Sequence, residues 1–149
     1  MKTLPALLLF ATFSASAAPN LIAERSEVPI PKAMQADFLA NMRDHLFAIS
    51  EIQADLAKGD FKSAGETASN RLGLNASSSA SCRPGEMKGF AKYMPKQMHK
   101  AGFAMHSAAD DFAEEMKKPA PDYRNALQSL AKITSACVAC HAHFRLAGR

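Results

Sequence analysis

Tryptophan is absent from the 149 residues and tyrosine occurs twice, whereas methionine occurs eight times. Flexible thioether side chains, which fill irregular space well, therefore take a large share of the interior. No segment alternates polar and apolar residues as a half-buried strand would, and no internal repeat is visible, which leaves an all-α chain as the expectation. The formal charge is only +4, with no basic run and no interleaved aromatic platform, so nucleic acid is excluded as a partner. No apolar run reaches the length of a bilayer span, so stable membrane insertion is not expected. No grouping of acid, base and nucleophile emerges that would mark an enzyme. Cysteine is scarce too, with three in all.

The N-terminus has the make-up of an export signal. Lys2 supplies the positive start, Leu4 to Phe13 the short apolar run, and Ala15-Ser16-Ala17 the small-residue cleavage site. Cleavage is expected after Ala17 or Ala18. Residues 1–18 then form a signal peptide, 19–30 a proline-bearing arm, and 31–149 one domain. About 130 residues remain, enough for one sizeable core. The expected compartment is the bacterial periplasm. The mature chain loses Lys2 and keeps a small positive surplus, compatible with docking on an acidic partner.

Four amphipathic helices follow. The first is predicted from Pro31 to Lys58, with Phe38, Met42, Ile49, Ile52 and Leu56 inward and Leu39 and Leu46 widening the stripe. Gly59 stops it, and Asp60 caps a shorter helix over Phe61 to Leu72, ended by Gly73. A Ser-rich loop from Asn75 to Glu86 carries Cys82, and Met87 to Met94 adds a short turn. The third helix begins near Pro95 and points Met98, Ala101, Met105, Ala108, Phe112 and Met116 inward. Asp122 caps the fourth, whose inner face runs through Tyr123, Leu127, Leu130, Thr134, Cys137, His141 and Phe144 to a stop at Gly148. Short connections predict an antiparallel up-down-up-down four-helix bundle.

The chemistry sits in Cys137-Val138-Ala139-Cys140-His141. A C-x-x-C-H reads as a c-type haem attachment site. Two thiols three residues apart share a helical face, so each can form a thioether with one haem vinyl group. His141, four residues after Cys137, shares that face and can place a nitrogen on the iron. A zinc site from Cys137, Cys140, His141 and His143 competes, as does a thioredoxin-like pair. The first usually draws ligands from separated segments, and the second needs a preceding strand. Cys82 is then the odd thiol, either a free loop cysteine or half of an intermolecular disulfide. Helix depth brings two methionines to the haem level: Met42 and Met105 each lie roughly 15 Å from their helix starts.

A four-helix pattern with C-x-x-C-H near its end, followed by Phe144 and Arg145, resembles the class II cytochromes c. Met42-Arg43-Asp44-His45-Leu46 and Met105-His106 also resemble a small bacterial branch of them. The resemblance covers about Pro31 to Leu146. It implies one covalent haem c and an iron whose open side faces the first helix, which points to Met42 as sixth ligand. His45, one turn on, and Met105 are the alternatives, and Arg43 is a candidate propionate contact. His99, His106 and His143 read as solvated or core-edge histidines. Two functions are implied: a one-electron carrier exchanging electrons with periplasmic redox proteins, or a cytochrome c′-like protein that binds NO or CO at an open iron. A monomer or a homodimer is expected.

Overall fold

A computed structural model describes residues 24–82 and 89–148. The predicted signal peptide and the first residues of the predicted arm lie outside the described residues, as do Arg83 to Lys88 of the predicted loop and turn. The described chain is mainly helical. α1 spans Lys32–Ala57, and Pro31 precedes it with φ −54° and ψ 140°, which sets its entry angle. Its end is a Schellman closure. Gly59, at φ +77°, donates to the Leu56 carbonyl at 2.9 Å, and the Asp60 N–H reaches back to Asp55 at 2.9 Å. Asp60 then caps α2, Phe61–Thr67, by accepting from the Ser63 N–H at 3.0 Å.

The predicted second helix does not stay α-helical to Leu72. From Ala68 to Leu72 the chain widens into a π-helical turn, which frees carbonyls that a regular ladder would use. Short 3-10 turns follow at Ser77–Cys82 and Ala91–Tyr93. α3 spans Lys96–Met116, and α4, capped by Asp122 on the Asn125 N–H at 2.9 Å, spans Tyr123–His143.

α4 stops before the predicted Gly148. Phe144–Leu146 forms β2, pairing in parallel with β1, Ser26–Val28, in the arm. A three-residue pair is too short to show alternation, and its strands lie at opposite ends of the chain, so neither was visible in sequence. Arg145 pairs with Glu27 at 2.7 Å, and the Gln35 amide donates to Ile30 O at 3.0 Å and Ala147 O at 3.2 Å. The arm is thereby tied to the end of the helix that carries the C-x-x-C-H.

Packing is uneven. α3 and α4 run closely along each other, whereas α1 rests mainly on α2 and the π-helical turn. Arg71 in that turn binds the carboxylates of Asp44 and Glu51 on α1. One core gathers Ile52, Leu56, Leu72, Phe112, Met116, Leu130 and Ile133; a second, at the β1–β2 end, gathers Val28, Ile30, Phe38 and Met98. Three large residues expected inside are not: Leu46 is 70% exposed, Leu127 58% and Tyr123 52%. The stripe at position 46 turns toward the space that α1 leaves open, where no helix covers it.

Gly73 closes the π-helical turn where backbone meets side chain. Its neighbour Leu74 donates to Asp110 Oδ2 at 3.0 Å, and a Cβ at 73 would collide with Asp110 Oδ1 and the Ser69 carbonyl. Gly73→Ala is expected to lower stability by about 1–3 kcal/mol. A reduced denaturant midpoint with unchanged slope checks this, and an unmoved midpoint would contradict it.

Candidate functional site

The face of α4 that buries Ala126, Leu130 and Ile133 continues toward the C-terminus as Cys137 and Cys140. By then α1 has parted from α3 and α4, so these residues meet a cavity of about 410 Å³ instead of a neighbouring helix. Cys137, Cys140 and His141 all line it, from positions i, i+3 and i+4 of one helix. Opposite them α1 contributes Met42, His45, Leu46 and Ile49; α3 contributes Met98, Met105 and His106. A smaller cleft of about 180 Å³ lies toward the β1–β2 end and shares Met42, Cys140 and His141 with the cavity. His141 is exposed, and the two thiols are half-buried.

All three cysteines are free. Burial raises the Cys137 thiol above its ordinary pKa; burial, then the charge of Cys137, raises that of Cys140. These are protonated thiols near the C-terminal end of a helix, opposite in both respects to an activated redox pair at a helix start. Among the described residues no group of three His, Cys, Asp or Glu is arranged to hold a metal ion. The His143 Nδ1–H instead donates to the Ala139 carbonyl at 2.7 Å.

The other predicted residues fall as follows. Met42 is half-buried and borders both spaces, packed into the cluster that includes Cys140 and Phe144. Met105 is buried in the first core while lining the cavity. Arg43 is exposed and lines neither space; Arg25 and Arg145 line the cleft beside His141 instead. Cys82 is not a solvent-facing loop thiol. It lines the cavity and lies so close to α3 that a Cβ on Gly102 would come within 2.5 Å of its Sγ. Burial, then the charge of Cys140, pushes its thiol up to about 11. An interior glycine is costly in a helix, and Gly102 was the one sequence signal of this approach.

His106, expected at the core edge or in solvent, is fully buried. Its Nδ1 lies 2.6 Å from the carbonyl of Leu72, the last residue of the π-helical turn, where the helix ends and leaves carbonyls without intrahelical partners. A carbonyl only accepts, so Nδ1 carries the proton. The His45 ring packs edge-on against it, with centroids 5.5 Å apart. His45 is 9% exposed, and its Nε2 is buried without a hydrogen-bond partner. Sequence could not show this pair, because the bond to Leu72 joins residues 34 apart and depends on how the helices pack.

No protein-family model, no curated protein and no solved structure matches the chain. No described helix is long and apolar enough to cross a membrane.

Burial, followed by the neighbouring His106 and Arg71 charges, lowers the His45 pKa from 6.5 to about 4, against an opposing pull from Asp44. The unfolded chain therefore takes up this proton near its ordinary pKa while the folded chain resists. Stability present above that value is lost as pH falls toward 4, by ~3 kcal/mol for a shift of this size. Denaturant unfolding of the cofactor-free chain at neutral pH and at pH 4 should show the loss, and His45→Leu should remove most of it. Equal pH slopes in the two proteins would contradict the assignment.

Proposed function

We propose that the chain is a c-type cytochrome of the class II kind: a periplasmic one-electron carrier built as an up-down-up-down four-helix bundle. The observation that carries the reading is that Cys137, Cys140 and His141 together line a large, mainly apolar cavity where α1 stands apart from α3 and α4. The residues present fit a haem held through two thioethers. The thiols and the imidazole share one face, the opposing walls are thioether and aliphatic, and the exposed side of His141 opens toward two arginines in the cleft. A leader that exports the chain to the compartment of haem attachment supports it independently.

The haem supplies a reversible one-electron change at its iron. The chain's own part is to hold and insulate it. His141 provides the nitrogen on one side, and the Met42 thioether faces the same space from α1, a soft ligand that raises the potential. Phe38, Ile49, Met98 and Ile133 keep water from the walls. Val138, 62% exposed at the mouth with Leu46, forms an apolar rim against which a redox protein can approach. We propose no enzymatic turnover, because the sequence offers no grouping of acid, base and nucleophile that would mark one. Arg25 and Arg145 are better placed than Arg43 to face propionates.

The competing reading is a cytochrome c′-like binder of NO or CO, which needs an open iron position behind apolar walls. Phe38 provides such a wall, but Leu46 points largely to solvent. Optical spectra of the holoprotein separate the two. A low-spin spectrum with a thioether–iron band in the oxidised form, and little reaction of the reduced form with carbon monoxide, is expected. A high-spin reduced spectrum with ready carbon monoxide binding would replace the carrier by the gas binder.

A further inference from the structure

Met42 and His45 lie one helical turn apart on the face of α1 that lines the cavity, so both are within one wall of the same chamber. His45 differs from an ordinary core histidine. It is nine-tenths buried, it borders a cavity, and no donor or acceptor satisfies its Nε2. Leaving such a nitrogen unpaired costs stability. A hydrophobic residue of similar size would avoid that cost.

We propose that His45 is a reserve iron ligand, parked against His106 and able to replace Met42 opposite His141 when the thioether is lost. This rests on the haem reading above and on Met42 as the resting ligand. The parking contact is weak. Edge-to-face packing, with ring centroids 5.5 Å apart, is the contact that His45 gives up when its side chain rotates off the His106 ring. His106 itself is fixed by its 2.6 Å bond to the Leu72 carbonyl, and it stays behind when His45 turns. In the exchange the iron–sulfur bond breaks, an iron–nitrogen bond forms, and the oxidation state of the iron is unchanged. The result is an iron that remains closed to external ligands after its thioether is damaged.

Met42→Leu, close in volume to the original, tests this in holoprotein purified without imidazole. The expected result is loss of the thioether–iron band, retention of a low-spin spectrum, a lower potential, and a near-infrared magnetic circular dichroism signal of two nitrogen ligands. Met42→Leu combined with His45→Phe should turn high-spin and bind carbon monoxide. A high-spin Met42→Leu protein would overturn the reserve role while leaving the carrier standing. A double variant that stays low-spin would assign the ligand to another residue. An unmutated protein that lacks the thioether band but shows two nitrogens would make His45 the resting ligand and end the reserve role. An unmutated protein without haem would fail the underlying reading, an outcome distinct from these.

Discussion

Helical periodicity on α4 is the constraint on which the rest depends. One face must serve two purposes: Ala126, Leu130 and Ile133 pack into the core, and Cys137 and Cys140 continue the same line into a cavity. The change of role comes from the neighbours and not from the helix. α3 stays against α4, but α1 is held on α2 and the π-helical turn, partly by Arg71 bound to Asp44 and Glu51. Ion pairs this exposed contribute little stability each, yet two carboxylates on one guanidinium define where α1 sits. A gap between helices would normally collapse or fill. Its lining by three thiols, three imidazoles and several methionines is one that the proposed flat cofactor would complete.

The polar part of the interior follows from the same turn. The turn ends at Leu72, where the last carbonyls lack intrahelical partners, and the Leu72 carbonyl accepts from His106. That bond justifies one buried imidazole. It does not justify the second, and the proposed function gives His45 a use that packing alone does not. The ribbon of β1 and β2 acts at the other end, closing the chain over the cleft beside His141 and setting Arg25 and Arg145 on its wall.

Much of the helical layout was legible because its signals are local. Asp60 and Asp122 cap where expected, Gly59 terminates α1 in the left-handed region, and Pro95 precedes α3. The C-x-x-C-H was legible because spacing alone fixes its shared face. Features that depend on distant partners were not. β1 and β2 find each other across nearly the whole domain, Cys82 reaches the cavity only through the approach to Gly102, and His106 is buried by a carbonyl released elsewhere. Leu46 has the apolar character of a core residue, but its face of α1 looks into open space. Arg43 was picked for its place beside Met42, whereas cleft position depends on how the arm folds back.

The central claim is that the cavity beside Cys137, Cys140 and His141 is built for a covalently attached haem. Intact-mass measurement of the mature protein, produced in the periplasm with a haem-attachment system present, tests this most directly. The account predicts the mass of the processed chain plus one haem, resistant to acid–organic extraction. A mass equal to the processed chain alone, with all three thiols free to alkylate, would contradict it.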